Sequence, residues 1–340
     1  MNEPQMRVME VREFGGPFVA AERPIPAPGP GQVRIKVAAC GICHSDAIVK
    51  FGAMPGIALP RIPGHELAGT VDAVGEGVSA WKVGDRVGVG WHGGHCFQCE
   101  PCRRGHFINC VRAGITGLTV DGGYAEYAIA RWEAVARIPE GLGFIDAGPL
   151  LCAGITTYNA LRNSGARAGD TVAVSGIGGL GHLAVQYARQ MGFRTVALSR
   201  GPDKESLARE LGAHEYVDTA AEDSAKALQR LGGADVILAT APQSEVIAGL
   251  VGGLRPRGTL MLVAASPEPM TVNPLVFLSG KKIHGWPSGS AIDSEDTMKF
   301  SVLSGVRPRV QVFPLAEAND AFAVMMANKA RFRVVLDLSA

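Results

Sequence analysis

The chain has 340 residues, of which 47% are hydrophobic and 19% are charged, so it can bury a large core and its length favours two domains. Its 33 lysine and arginine residues nearly balance its 32 aspartate and glutamate residues, which leaves no electrostatic footprint for nucleic acid or an anionic membrane. Apolar runs fall far short of the roughly 20 residues of a bilayer span, and the N-terminus has no secretory signal. We therefore expect a soluble, cytoplasmic protein that acts on small molecules.

Up to about residue 136, short alternating apolar stretches are bounded by glycine or proline. This spacing is typical of short strands joined by tight turns. The predicted strands are residues 33–38, 69–74, 86–90 and 124–129. They indicate an irregular β-barrel or sandwich.

From residue 170 onward, apolar strands alternate with helical segments, a pattern that predicts a doubly wound parallel sheet. The predicted strands are residues 171–176, 195–199, 215–218, 236–241, 259–265 and 282–285. The predicted helices between them are residues 182–191, 203–211, 223–231 and 245–252. Such a series fits one dinucleotide-binding domain. Two later helices, 295–303 and 315–328, and a strand, 333–338, are too little for a third domain, and we expect them to pack on the N-terminal domain.

A glycine-rich turn joins the first of these strands to the first helix. It has the spacing G-x-G-x-x-G at Gly176, Gly178 and Gly181, with Gly179 and Leu180 before the last glycine. The first glycine permits a tight turn, the second lets the backbone approach a pyrophosphate, and the third packs helix on strand. The free N–H groups of the helix N-terminus favour phosphate. The turn therefore predicts dinucleotide binding.

The end of the second strand of this series indicates which nicotinamide cofactor is preferred. A carboxylate there would bond the ribose 2′-hydroxyl, but the sequence reads Leu198-Ser199-Arg200. Ser199 and Arg200 can donate to a 2′-phosphate, with Lys204 as further support, so we predict NADP(H) over NAD(H). The alternative is that Arg200 is only a solvated surface charge.

Four of the seven cysteines crowd into one loop, at Cys96, Cys99, Cys102 and Cys110. Four thiolates fill the tetrahedral positions of zinc and leave no open position, which predicts a structural zinc site. A redox or iron–sulfur role is the alternative. The other cysteines are Cys40, Cys43 and Cys152, and with His65 they offer ligands for a catalytic zinc, which needs three protein ligands and an open position.

Taken together, the motifs resemble the zinc-dependent alcohol dehydrogenases of the medium-chain dehydrogenase/reductase superfamily over essentially the whole chain. They are Cys40-Gly-Ile-Cys43-His44-Ser45-Asp46, Pro63-Gly-His65-Glu66, the four-cysteine loop, Asp121-Gly-Gly-Tyr124-Ala-Glu-Tyr127, Cys152-Ala-Gly-Ile-Thr156-Thr-Tyr158 and the glycine turn. The resemblance implies a GroES-like β-barrel catalytic domain at residues 1–152, continued by 288–340. It also implies a Rossmann domain at residues 153–287. The length is similar to that of the bacterial tetrameric members, which implies a homo-oligomer, a tetramer or a dimer.

The resemblance also implies the ligands of the catalytic zinc. They are Cys43, rather than Cys40, together with His65 and Cys152. Glu66 lies beside the metal as an alternative ligand. With the four-cysteine loop, this gives two zinc ions per chain.

Other residues receive their roles from the resemblance alone. Asp46 orients His65, and Ser45 accepts the proton of the alcohol while hydride passes to the nicotinamide. Thr156 lies near the nicotinamide, and His44 and Arg333 contact the pyrophosphate. The implied reaction interconverts alcohols with aldehydes or ketones.

Two departures from the family pattern concern the proton and the substrate. Ile48 stands where many members have a histidine that passes the proton to solvent, so the route beyond Ser45 stays open among His44, the cofactor ribose and water. Ala53 stands where similar enzymes for small alcohols have tryptophan, although Trp91 can form a pocket wall. This combination predicts a pocket for medium-chain or aromatic substrates.

Three other interpretations remain. A polyol dehydrogenase often has a carboxylate in place of the third cysteine ligand, which Cys152 argues against. A zinc-free quinone or enoyl reductase of the same superfamily has no need of the second ligand set. A non-enzymatic zinc-stabilised binding module, for instance for nucleic acid, has little support from a net charge of +1.

Overall fold

The structure is a computed structural model that describes residues 3–264 and 266–339. The chain folds into two compact units. The first comprises the residues up to Ile155 together with those from Gly289 onward, and the second is Thr156–Ser288. The domains inferred from the sequence divide the chain at residues 152/153 and 287/288.

The strands are β1 (Gln5–Val11), β2 (Phe18–Pro24), β3 (Gln32–Ile42), β4 (Leu67–Val74), β5 (Arg86–Val89), β6 (Tyr127–Arg131), β7 (Ala136–Arg137), β8 (Thr171–Ser175), β9 (Arg194–Ser199), β10 (Glu215–Asp218), β11 (Ala234–Ala239), β12 (Leu254–Leu262), β13 (Lys282–Gly285), β14 (Val310–Pro314) and β15 (Arg333–Asp337).

The α-helices are α1 (Asp46–Phe51), α2 (Glu100–Arg103), α3 (Phe144–Pro149), α4 (Ile155–Arg162), α5 (Gly181–Gln190), α6 (Glu205–Glu210), α7 (Ser224–Arg230), α8 (Ser244–Leu250), α9 (Ala291–Ser304) and α10 (Ala318–Met326). None of the helices in the described part of the chain combines the length and the apolar character that a membrane span requires.

The first unit is built around a sheet in which β14, β15, β3, β4, β5 and β7 lie side by side, and β6 also pairs with β3. Its pairs are antiparallel except for β14 with β15. In β3 the side chains of Val33, Ile35 and Val37 are buried while those between them are more accessible, as expected when successive residues point to opposite faces. The barrel core lies on that buried face.

The second unit holds a parallel sheet in the order β10-β9-β8-β11-β12-β13 across the described residues. Strands β8, β9 and β11 are apolar and buried along nearly their whole length, as expected for a parallel sheet covered on both faces. The predicted doubly wound sheet is confirmed. Because the strand order reverses between β8 and β11, ligands are expected at the carboxyl ends of these strands.

Several predicted boundaries differ from the structure. The strand predicted at 124–129 begins three residues later, because residues 122–124 donate their N–H groups to residues 62–64 instead of to β3. The helix predicted at 315–328 is a 3₁₀ turn, Leu315–Glu317, followed by α10. The strand predicted at 259–265 begins earlier, at Leu254, and ends at Leu262; its last predicted residue, Ala265, lies outside the described residues. Strands β1, β2, β7 and β14 have no counterpart among the predicted elements.

Candidate active site

The first unit brings together the four side chains that were predicted to surround a catalytic metal. Ligand atoms of Cys43, His65, Glu66 and Cys152 all lie within 4.8 Å of one another. The sulfur atoms of Cys43 and Cys152 are 3.8 Å apart, which matches the edge of about 3.8 Å expected for tetrahedral zinc with Zn–S bonds of 2.3 Å. Cys40 is outside this cluster, and its thiol faces the Gly41 carbonyl at 3.6 Å.

Three chain segments deliver these ligands. Strand β3 runs directly into Cys43, and His65 and Glu66 immediately precede β4. Because β3 and β4 pair antiparallel, with Cys40 opposite Leu67, the end of one strand meets the start of the other. Cys152 lies on a π-helical turn, Leu150–Gly154, that follows α3; such turns are frequent at functional sites.

The imidazole of His65 is prepared for a metal. Its Nδ1 lies 3.1 Å from the Asp46 carboxylate, and this contact favours a proton on Nδ1. Its Nε2 is buried and has no hydrogen-bond partner among the described residues. A bare imidazole nitrogen beside two thiols is the donor set of zinc, and a carboxylate behind the histidine is its usual support. The residues present therefore fit a zinc ion.

Glu66 and Arg333 form a fully buried ion pair next to the ligands. The Arg333 guanidinium also donates to the Ile42 carbonyl at 3.1 Å. Burial raises the pKa of Glu66 to about 7, although the Arg333 charge opposes this rise. The other Glu66 oxygen, Oε2, is buried and unpartnered in the described structure, so Glu66 retains an acceptor. The predicted contact of Arg333 with the pyrophosphate stays a prediction.

Ser45, His44 and Trp91 lie around the cluster. The Ser45 hydroxyl is 3.8 Å from the Cys43 sulfur, and His44 is exposed. The Trp91 ring stands edge-on to the His65 ring, with centroids 5.2 Å apart. Thr156 belongs to the other unit, where it is buried near the start of α4.

Tyr124 is a site residue that the sequence analysis did not predict. It is fully buried, and its phenol donates to Asp46 Oδ2 at 3.1 Å. Burial and the Asp46 charge raise its pKa well above the usual value, so the phenol keeps its proton. The available signal was its position in the motif that begins at Asp121, to which no role was given.

The four-cysteine loop forms a second cluster, in which the sulfur atoms of Cys96, Cys99, Cys102 and Cys110 all lie within 4.8 Å of one another. The sulfur atoms are 4.0 Å apart for Cys96 and Cys102 and 3.8 Å apart for Cys99 and Cys110, close to the edge expected for one zinc ion. Backbone N–H groups, first that of Gln98, lower the pKa of Cys96 to about 5. A closed set of four thiols stabilises structure and leaves no open position for a substrate.

The geometry of the glycine-rich turn in the second unit shows what Gly176, Gly178 and Gly181 each contribute. Gly176 has a φ of +94°, and a Cβ on Gly181 would lie 1.8 Å from the Gly176 carbonyl oxygen. Gly178 has open space where its side chain would be. The Thr240 hydroxyl donates to the Gly176 carbonyl at 2.8 Å. The turn thus leads tightly from β8 into α5 and leaves one open backbone position.

The residues predicted to select the cofactor lie at the end of β9. Ser199 is buried and Arg200 is exposed. The Lys204 amine donates to the Ile177 carbonyl of the glycine-rich turn at 3.0 Å. Lys204 is therefore held against the turn, beside the expected phosphate position.

Comparison with known proteins agrees with the fold. Residues 29–140 match the alcohol dehydrogenase GroES-like domain and residues 179–302 match the zinc-binding dehydrogenase domain. An alcohol dehydrogenase of Aspergillus sp. (strain MF297-2) is 45% identical over 328 residues, 96% of each chain. A solved NAD-dependent alcohol dehydrogenase superposes with a TM-score of 0.90 at 30% identity, covering 98% of this chain and 100% of that one. A solved CAD from Helicobacter pylori complexed with NADP(H) has a TM-score of 0.88 at 28% identity, covering 99% of each chain.

The chain belongs to the zinc-dependent alcohol dehydrogenases of the medium-chain dehydrogenase/reductase superfamily. The predicted combination of a GroES-like domain with a Rossmann domain is confirmed. The protein is therefore an alcohol dehydrogenase that uses zinc and a nicotinamide cofactor to act on a small-molecule alcohol.

The two glycines of the turn should respond differently to substitution. Gly181→Ala overpacks backbone against backbone, so we expect it to lower stability by about 1–3 kcal/mol. Gly178→Ala adds a methyl group in open space, so it should keep the melting temperature of the cofactor-free protein and weaken cofactor binding only. Thermal melts and cofactor titrations of both variants measure this, and equal melting temperatures for the two variants would contradict it.

Proposed function

We propose that this enzyme interconverts medium-chain or aromatic alcohols with their aldehydes or ketones, prefers NADP(H), and holds two zinc ions per chain. The observation that carries the chemistry is the cluster of Cys43, His65 and Cys152, in which His65 Nε2 is buried and has no hydrogen-bond partner in the described structure. A zinc-free reductase of the same superfamily has no use for this set, and a polyol dehydrogenase often has a carboxylate where Cys152 stands.

The residues at this centre have distinct roles in holding and orienting the metal. Cys43, His65 and Cys152 would hold the catalytic zinc, and three protein ligands would leave one position for substrate, with Glu66 available as a transient ligand. Zinc supplies Lewis acidity there, which lowers the pKa of an alcohol oxygen. Asp46 holds His65 by its Nδ1 atom, and the Cys43 thiol next to Cys152 has a lowered pKa, so both residues are ready to bind a cation.

Proton removal begins at the Ser45 hydroxyl, which lies beside the Cys43 ligand. Ser45 would accept the alcohol proton and pass its own proton on, and a bound nicotinamide would supply the hydride chemistry. Ile48 cannot carry the proton further. His44 is exposed, so its ring can exchange the proton with water, with the cofactor ribose and water itself as the other routes.

The second unit binds the nicotinamide cofactor in this proposal. Gly176, Gly178 and Gly181 shape the pyrophosphate turn, with Gly179 and Leu180 immediately before α5. Thr156, His44 and Arg333 complete the cofactor contacts that the family pattern implies.

NADP(H) preference rests on Ser199 and Arg200, because the end of β9, Leu198-Ser199-Arg200, carries no carboxylate to bond a ribose 2′-hydroxyl. Exposure leaves the Arg200 guanidinium free to meet a phosphate, and Lys204 adds a positive charge next to the turn. The similar solved enzymes include one described as NAD-dependent and one complexed with NADP(H), so the comparison favours neither cofactor.

Arg200→Ala should weaken NADP(H) binding about 10- to 150-fold, the equivalent of a charge-assisted contact of about 1.5–3 kcal/mol, and should change NAD(H) binding little. Fluorescence titration with both reduced cofactors measures the effect. Arg230→Ala, which removes an exposed arginine paired with Glu222, is the control. A wild-type enzyme that prefers NAD(H) would overturn the proposal.

Elemental analysis should find two zinc ions per chain, because the two ligand sets share no residue. Cys43→Ser should remove one zinc and abolish turnover while the fold persists. Cys99→Ser should remove the other zinc and mainly lower stability, since metal binding and folding are coupled at a structural site. One zinc or none in protein purified without chelators would refute the assignment.

The substrate proposal depends on Ala53 and Trp91. Trp91 contacts the His65 ring, which places an aromatic wall at the ligands, and Ala53 adds little bulk after α1. Larger substrates gain from burial, since each buried methylene contributes about 0.8 kcal/mol, or close to fourfold.

Medium-chain and aromatic alcohols should therefore have a higher kcat/KM than ethanol, and Ala53→Trp should reverse that order. Steady-state kinetics on a series of alcohols tests this, with Ala20→Trp on β2 as a control for a new surface tryptophan. A wild-type enzyme that favours ethanol would show that Ala53 does not set the pocket size.

We also propose a cytoplasmic homo-oligomer, a tetramer or a dimer. Thiol ligands persist in a reducing compartment. Strand β13 ends the parallel sheet of the described structure, and Leu275 and Leu278 before it are 69% and 83% exposed; an open sheet edge next to apolar side chains is typical of a protein interface. Light scattering measures the molar mass, and a monomer at micromolar concentration would contradict the proposal.

A further inference from the structure

The Asp46 carboxylate is fixed by donors on both of its oxygens. Oδ1 lies 3.1 Å from His65 Nδ1. Oδ2 accepts the Cys43 backbone N–H at 2.9 Å and the Tyr124 phenol at 3.1 Å. Asp46 is only 1% exposed, so water cannot replace a lost donor, and the carboxylate has no freedom to rotate away from His65.

The backbone around Tyr124 is paired with the segment that leads to His65. Gly122, Gly123 and Tyr124 donate their N–H groups to carbonyl oxygens of residues 62–64, at 2.8 to 3.0 Å. Asp121 Oδ1 accepts the Ile62 N–H at 3.1 Å. The motif that begins at Asp121 therefore holds the chain immediately before the ligand histidine.

The ring of Tyr124 lies directly on Gly64. A Cβ on Gly64 would be 2.4 Å from the ring carbon Cδ1 of Tyr124, and Gly64 has a φ of +98°, which favours glycine. A Cβ on Gly123 would be 2.5 Å from the Leu67 Cβ. The absence of a side chain at Gly64 therefore leaves room for the Tyr124 ring, and Gly123 lets the preceding backbone pack against Leu67.

We propose that Tyr124 is a positioning residue for the catalytic metal: through Asp46, its phenol holds the His65 imidazole in the tautomer and orientation that present Nε2 to zinc. This inference rests on the proposed ligand set of Cys43, His65 and Cys152. Partners of this kind behind metal-binding histidines affect metal affinity or activity by 10- to 100-fold when they are removed. Tyr124 acts one hydrogen bond further away, so we expect the lower end of that range.

The test is Tyr124→Phe, which removes the phenol oxygen and keeps the ring. The time course of zinc release to a chromogenic chelator should show two kinetic phases, one for each site. The phase that Cys43→Ser eliminates should become about tenfold faster, while the phase of the four-cysteine loop stays unchanged and serves as an internal control for folding. Tyr187→Phe, at an equally buried tyrosine in the second unit, should alter neither phase.

A second measurement separates positioning through Asp46 from a general packing role. In an Asp46→Ala background the phenol has lost its acceptor, so adding Tyr124→Phe should leave the zinc release rate unchanged. The absorption spectrum of the cobalt-substituted enzyme should shift in Tyr124→Phe and not in Tyr187→Phe.

The proposal is overturned if Tyr124→Phe releases zinc within twofold of the wild-type rate, or if its effect persists undiminished with Asp46→Ala. Failure of the proposed function has a different signature. In that case Cys43→Ser removes no release phase from the wild-type protein, and both the ligand assignment and the inference drawn from it fall.

Discussion

The catalytic centre depends on one buried charge, the Asp46 carboxylate. An ionised group out of water is costly unless hydrogen bonds satisfy it, and Asp46 meets this requirement with donors from His65, Cys43 and Tyr124. These three donors come from the end of β3, from the residues before β4 and from the segment before β6. The same charge therefore draws together the chain segments that carry two of the proposed zinc ligands.

A second buried interaction, the ion pair of Arg333 with Glu66, lies next to the same cluster. Arg333 on β15 forms an ion pair with Glu66 and donates to the Ile42 carbonyl. These contacts connect the C-terminal strand to the ligand segment that precedes β4. The thiols of Cys43 and Cys152, 3.8 Å apart, cannot both ionise cheaply without a cation, since like charges in a site disfavour each other. A zinc ion bound here, as we propose, would relieve this repulsion and satisfy His65 Nε2.

The two metal clusters differ in how they are assembled. The four cysteines of the loop lie within 15 residues of sequence, and backbone N–H groups of the same loop donate to their sulfur atoms. For example, the Cys99 N–H donates to Cys96 Sγ at 3.3 Å. The proposed catalytic ligands come from three separate segments whose relative placement depends on the sheet. We therefore expect the loop cluster to support stability, whereas zinc binding by the other cluster should depend on the correct packing of the whole first unit.

The sequence by itself determined the alternation of strands and helices in the second unit, because buried parallel strands and amphipathic helices have distinct periods. It also determined the glycine turn and the four-cysteine cluster, since both are local in the chain. Residue chemistry offered Cys40, Cys43, Cys152 and His65 as candidate catalytic ligands, but the choice of Cys43 over Cys40 came from the resemblance alone, since these residues are far apart in sequence. Only the tertiary structure decided the contacts of Tyr124 and Arg333, whose partners Asp46 and Glu66 are 78 and 267 positions away. A hydrogen bond between such distant residues leaves no periodic pattern in the sequence, because the register of the sheet, and not the spacing along the chain, brings the two side chains together.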